Sequence, residues 1–187
     1  WATQWSPLGA THVMRWATTN AASDSNTRWN DTEPTSSVFT LGNEAEGNTN
    51  DGNHIAYCFT NIKGYSKVGS WIGNGNADGP FIFTGFKPAW IMFKKTDAAG
   101  DWMIKDNKRS GTSAGENFGQ MNPNQLQHPS ANRNYAETYA SGYSMDILSN
   151  GFKVRGTDSG MNTSGSNYIY MAFAESSFVN SKGPTTA

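Results

Sequence analysis

The chain has one cysteine, Cys58, so no disulfide can form within it. Proteins assembled in a reducing cytosol share that lack, and so do many exported proteins. No apolar run approaches the roughly 18 residues that a membrane-spanning helix needs. Charge is also sparse: charged residues make up 16% of the 187, and the formal net charge is −1. Nucleic-acid binding rests on clustered basic residues that neutralise phosphates, so nucleic acid is not expected as a partner. Leucine occurs only at Leu8, Leu41, Leu126 and Leu148, and almost no helix is expected. The first residue is Trp1, with neither an initiator methionine nor a signal peptide, as expected of a fragment or a processed product.

Glycine and asparagine fill the gap with 20 residues each, and aromatic residues reach 13%. Gly and Asn tolerate positive φ, and Asn bonds its own backbone, so both favour turns. Rings pack well on a pleated surface. The composition therefore predicts an all-β fold of many short antiparallel strands joined by turns, arranged as a β-sandwich. At this length the chain can hold one or two domains with a real core.

An internal repeat organises the chain. Residues 48–60 read NTNDGNHIAYCFT and residues 162–174 read NTSGSNYIYMAFA. A shift of 114 positions, without a gap, places Asn48, Thr49, Asn53, Ile55 and Phe59 on Asn162, Thr163, Asn167, Ile169 and Phe173. The same shift places Gly42 on Gly156 and Cys58 on Ala172. The expectation is a tandem whose first copy, residues 1–70, is incomplete and whose second, residues 71–183, is complete, with 184–187 a tail. The first copy has no equivalent of the strand-like segments 81–86 and 90–95. Those missing strands are expected from upstream sequence or from a neighbouring subunit, because an uncovered sheet edge invites aggregation.

Strand character is read at 11–16, 38–41, 54–60, 81–86, 90–95, 102–105, 144–148, 152–155 and 168–174. In 81–86 one face carries the rings of Phe81 and Phe83, and in 152–155 Phe152 and Val154 oppose Lys153 and Arg155. Asn150-Gly151 between two strands predicts a hairpin with a type I′ turn, which needs positive φ twice. The stretch 73–80 (GNGNADGP) reads as a loop and a boundary between copies, and 111–134 as a long surface loop.

Residues able to carry chemistry have modest readings. Asp51, Asp78, Asp97 and Asp101 sit in Gly/Asn loops that can hold calcium, but their spacing is not that of an EF-hand, and Asx turns explain them. No metal site and no cofactor are expected. Glu44 with Glu46, or Glu137 with Asp146, are the carboxylate pairs a hydrolase would use, but nothing sets the two members of either pair apart. His12, His54 and His128 lack ligand spacing. Cys58 lies in an apolar segment and reads as a buried inert thiol. The 73–79 segment precedes no helix, so a dinucleotide-binding glycine loop fails on context. Trp90 reads as core. Trp1, Trp5, Trp16, Trp29, Trp71 and Trp102 lie in or beside polar segments, where rings either seal interfaces or stack on sugars. Trp71 with Asn74, Asn76 and Asp78 is the candidate glycan site.

Residues 57–94 (YCFTNIKGYSKVGSWIGNGNADGPFIFTGFKPAWIMFK), LSNGFKVRG at 148–156 and YIYMAFAESSFVNSKG at 168–183 carry a distinctive pattern. A GFKPAW turn, here Gly85, Phe86, Lys87, Pro88, Ala89 and Trp90, leads into a hydrophobic strand with paired lysines. An LSNGFK hairpin and a closing YIYMAFAE strand follow. Over residues 50–183 this resembles a module of tailed-phage virion proteins, particularly those of marine and cyanobacterial phages. The resemblance implies a lectin-like, jelly-roll-like sandwich, often in tandem near the C-terminus of large fibre or appendage proteins, and no catalytic residues. The ending NSKGPTTA looks like the natural C-terminus of such proteins. The expected role is therefore a structural and adhesive, non-catalytic module at the surface of a bacteriophage virion, assembled in the host cytoplasm. Its expected partners are further copies of itself in a homo-oligomer, other virion proteins and host-surface glycan. A stand-alone lectin and a polysaccharide hydrolase are the alternatives.

Overall fold

A computed structural model describes residues 1–108, 124–125, 127–134, 136–139, 141–176, 178–180 and 183–185. The early strands are β1 (Ala2–Thr3), β2 (His12–Arg15) and β3 (Ser23–Asp24). Then come β4 (Ser66–Ile72), β5 (Phe81–Phe83), β6 (Pro88–Lys95), β7 (Met103–Asp106), β8 (Asn124–Gln125), β9 (Gln127–His128) and β10 (Thr138–Tyr139). The last are β11 (Met145–Leu148), β12 (Gly151–Val154), β13 (Asn167–Ala174), β14 (Phe178–Asn180) and β15 (Gly183–Thr185). Helix is confined to single turns among the described residues: α1 (Asn26–Trp29), α2 (Ala45–Asn48), α3 (Ser159–Asn162) and two 3-10 turns. The fold is all-β and antiparallel, as the composition predicts.

Two four-stranded sheets form the body, in the orders β4-β13-β6-β7 and β5-β12-β11-β8. Strand β13 is central in the first and pairs Tyr168 with both Trp71 of β4 and Lys95 of β6. Successive side chains of a strand point to opposite faces, and both faces of β13 are covered. Tyr168, Tyr170 and Ala172 join Trp71, Ile91 and Phe93 against Ile82, Met145, Ile147, Phe152 and Val154 of the second sheet. Ile169 and Met171 turn the other way, into a second cluster with Trp5, Met14, Met92 and Trp102. A strand buried on both sides reads as a continuous apolar run, and NYIYMAFA is one. The first 24 residues are thereby part of the core: Trp5 stacks on Trp102 at 5.5 Å, and Trp102 Nε1 donates to Arg15 O at 2.9 Å.

Lys94 belongs to the same junction. Its side chain is fully buried, donates from Nζ to the carbonyls of Thr19 and Gly100, and lies 5.9 Å from the centre of the Trp102 ring. Burial pushes its pKa down to about 8, against the pull of Asp101.

Several sequence expectations need correction. Residues 38–41 and 54–60 form no strand, and Cys58 is exposed, because neither stretch has a ladder partner among the described residues. Phe81 and Phe83 face outward on edge strand β5, while Ile82 faces the core. The hairpin β11–β12 forms, with Leu148 opposite Gly151, but its turn residues Ser149 and Asn150 lack positive φ, so the turn is not type I′. Gly151 is glycine for another reason: a Cβ there would lie 2.1 Å from Ile82 O across the β5 pairing. Trp5, Trp29, Trp71 and Trp102 are buried, and Trp90 is partly buried at the rim of the second cluster. Within the loop expected over 111–134, residues 111–123 and 126 lie outside the described residues, whereas β8 and β9 are short strands. Strand β4 runs across the 70/71 boundary and belongs to the sheet of the C-terminal part. The tail expected at 184–187 begins within β15, and 186–187 lie outside the described residues.

Candidate functional site

The loop after β4 brings Asn74, Asn76 and Asp78 together. Asn76 N donates to Asn74 Oδ1 at 3.0 Å and Asp78 N to Asn76 Oδ1 at 2.8 Å, while Asn74 Nδ2 donates to Asp78 O at 3.0 Å. These are successive Asx turns, the use to which Asn is put in tight loops. The Asp78 carboxylate takes an ion pair from Lys153 at 2.6 Å and Arg155 at 3.5 Å. The hydrogen bond from Lys153 leads in holding it below the usual carboxylate range.

Trp71 is not part of an open platform. Its ring is 6% exposed, lies 5.1 Å from and nearly parallel to Tyr168, and meets the Phe152 ring edge-on at 5.7 Å. Its Nε1 donates to Met161 O at 3.3 Å. The tryptophan expected to stack on sugar is a core residue, because alternation along β4 turns it toward the second sheet.

The same loop is anchored on Asn162, which is fully buried. Asn162 Nδ2 donates to Asn74 Oδ1, Asn76 O and Gly156 O at 3.2, 2.8 and 3.0 Å. Asn74 N donates back to its Oδ1 at 2.8 Å, and Gly75 N to its backbone carbonyl at 2.9 Å. One asparagine thus satisfies a loop that would otherwise leave polar groups unpaired.

Of the carboxylates of catalytic interest, Glu44, Glu46 and Asp146 are held in ion pairs. Arg28, with 2% of its side chain exposed, meets Glu46 at 2.7 Å and Glu44 at 3.6 Å. Arg15 joins Glu46 at 3.1 Å. Burial pushes the Glu46 carboxyl up, but the two guanidiniums outweigh it and hold it low. Asp146 accepts from Arg155 Nε at 2.6 Å. Asp97 accepts from Asn167 N at the start of β13, and Asp101 from Asn132 Nδ2. Among the described residues no three His, Cys, Asp or Glu side chains converge.

Bonds recur 114 residues apart. Asn48 Nδ2 donates to Gly42 O at 2.8 Å, as Asn162 Nδ2 does to Gly156 O at 3.0 Å. Thr49 Oγ1 donates to Ala45 O, and Thr163 Oγ1 to Ser159 O. Thr49 N donates to His54 Nε2, and Thr163 N to Tyr168 Oη. Helix α2 falls on α3 residue for residue. A Cβ at Gly42 would lie 2.0 Å from Thr27 O, and one at Gly156 would lie 1.9 Å from Gly142 O.

Beyond His54 the likeness stops. Ile55, Tyr57 and Phe59 are 70%, 67% and 52% exposed, whereas their counterparts Ile169 and Met171 are 1% and 5% exposed. No backbone hydrogen bond joins residues 55–59 to any described residue. On the other side of the turn that Thr49 and His54 close, Asn48 lines an open hollow of about 440 Å³ together with Asn26, Thr27, Asn30, Leu41, Gly42 and Asn43. Sequence reasoning missed this hollow, although the match of Asn48 to Asn162 was its signal.

Residues 1–177 match the model of a protein family described as a domain of unknown function, DUF7483. The chain belongs to the DUF7483 family. In this DUF7483 chain the matched span takes in both the exposed 53–60 segment and the body formed by β4 to β13. No curated protein and no solved structure matches it.

Proposed function

We propose that this DUF7483 chain is a non-catalytic structural and adhesive module of a bacteriophage virion, in a tail fibre, spike or capsid surface protein. It works by presenting apolar, strand-forming surface to further copies of itself or to other virion proteins. The row Ile55, Tyr57 and Phe59 carries this reading. Three large apolar side chains at strand spacing, on a backbone with no hydrogen-bond partner among the described residues, suit a sheet completed by assembly. The sandwich reading is supported by the core that both four-stranded sheets share. The tandem reading is supported by the bonds that recur around Asn48 and Asn162. The phage reading is supported by the GFKPAW, LSNGFK and YIYMAFAE segments.

The adhesive part of the proposal rests on host-surface glycan. With Trp71 inside, a sugar would meet amides and the Asp78 carboxylate rather than a stacking ring. Mass spectrometry of purified virions, with antibody labelling of intact particles, tests the proposal. The protein is expected in stoichiometric amounts at the particle surface, and its absence from particles ends the reading. A glycan array with the isolated chain tests the adhesive part separately.

A further inference from the structure

In the second half of the chain, one continuous segment does two things. As β4 it lines up antiparallel on β13, from Asn167 opposite Ile72 to Phe173 opposite Ser66. It then turns through residues 73–79 onto Asn162, with Gly73 N donating to Ser166 O and Gly165 N donating to Gly73 O, each at 2.9 Å. The approach is close: a Cβ on Gly73 would lie 2.3 Å from Thr163 O.

In the first half, both of the surfaces such a segment would use are present: the strand row is exposed, with Tyr57 meeting Trp1 at 5.9 Å and Phe59 meeting Phe173 at 6.0 Å, and the hollow is open. Residues 53–59 match 167–173 in register, and no backbone hydrogen bond reaches them among the described residues. Asn48, the counterpart of buried Asn162, is exposed and lines the amide-rich hollow. Thr49 and His54 hold the turn between the two surfaces in the same geometry as Thr163 and Tyr168. The strand row and the hollow are therefore two parts of one surface.

We infer that this surface is a docking site for one kind of occupant, a strand-and-loop segment of the residue 66–79 type (SKVGSWIGNGNADG) carried by a second module of the same kind. The strand pairs antiparallel with residues 53–59, and main-chain bonds supply the affinity, as in β-strand addition. The Gly-Asn-Gly-Asn loop settles on Asn48, and Gly73 permits the close approach to Thr49. Docking lays the counterparts of Ser70, Val68 and Ser66 beside Ile55, Tyr57 and Phe59, and that of Lys67 beside Cys58, in the register that Ile169, Met171, Phe173 and Ala172 keep with β4. The inference deepens the assembly reading by naming what the exposed row binds.

The backbone amides of residues 55–59, which the added strand would pair, serve as the reporter. A second copy of residues 66–79 is joined ahead of Trp1 through a Gly/Ser linker of about 15 residues, which raises its effective concentration to the millimolar range. Exchange of the 55–59 amides that face the added strand is then expected to slow at least about tenfold relative to the parent chain. The same fusion carrying Gly73→Ala in the added copy should restore the parent rate, and Asn48→Ala in the acceptor should restore most of it. A rate within about twofold of the parent overturns the inference, and so does equal protection by the Gly73→Ala fusion. Virion composition is measured independently. Unprotected 55–59 amides in a protein still found in particles remove this docking site alone, whereas absence from particles removes the assembly role alone.

Discussion

Replacing Trp71 with alanine separates a core residue from a ligand platform. The ring is 94% buried, stacked on Tyr168 and set edge-on to Phe152, with its N–H bonded to Met161 O. Truncating a buried tryptophan costs about 3–5 kcal/mol. The lost aromatic pairing, about 0.5–1.5 kcal/mol beyond area, lies within that range. The stranded Met161 carbonyl adds about 1 kcal/mol unless water reaches it. A loss of about 4 kcal/mol is a large part of the ~5–15 kcal/mol total of an ordinary domain. With a urea slope of about 2 kcal/mol/M, the midpoint should fall by about 2 M. Trp71→Phe keeps a ring between Tyr168 and Phe152 and loses the N–H, so its midpoint should fall by only about 0.5–1 M. Urea unfolding followed by circular dichroism reads both shifts. A Trp71→Ala midpoint within about 0.3 M of the parent would refute the packing assignment, most clearly if sugar binding vanished as well.

Four further outcomes rest on the same packing. Gly156→Ala, with its Cβ driven 1.9 Å from Gly142 O and 2.6 Å from Met161 Sδ, should cost about 1–3 kcal/mol in thermal or urea unfolding. Between pH 8 and about 10.5 the unfolded chain holds a proton on Lys94 that the folded chain has released. Stability should therefore rise across that window by about 2 kcal/mol, and Lys94→Met should flatten the rise. Burial pushes the Tyr170 hydroxyl up to about 12 and also raises that of Tyr168, so above pH 10 the unfolded chain ionises first and stability should fall again, a decline that Tyr170→Phe reduces. Asn162→Ala leaves Asn74 N, Gly156 O and Asn76 O each without a partner they now share. It should cost about 2–4 kcal/mol by urea unfolding and make the 73–79 loop susceptible to proteolysis.

The parts of the fold that could be read in the sequence are those whose side-chain pattern matches their surroundings. Strand β13 is apolar on both faces because both are covered, and β12 alternates because one face is wet. Strand β4 was hidden by its small residues, and one of them has a packing cause: a Cβ at Gly69 would fall 2.7 Å from the Tyr170 hydroxyl oxygen. Trp71 looked exposed because its neighbours in sequence are polar, while Tyr168 and Phe152, which enclose it, lie far along the chain. Residues 54–60 have a strand's pattern without a strand's partner, and pattern alone carries no information about who supplies the other half of a ladder. The candidate site was half legible. The repeat pairs Asn48 with Asn162, but only coordinates show one of them buried under a loop and the other open.

Amide hydrogen exchange resolved along the chain tests the central claim most directly. In the isolated protein, residues 55–59 should exchange at rates close to those of an unfolded peptide, while their counterparts 169–173 exchange only through global opening. In the fusion that carries the added 66–79 segment, residues 55–59 should join the protected set. Strong protection of 55–59 in the isolated monomer would contradict the account, because the strand row would then already be paired.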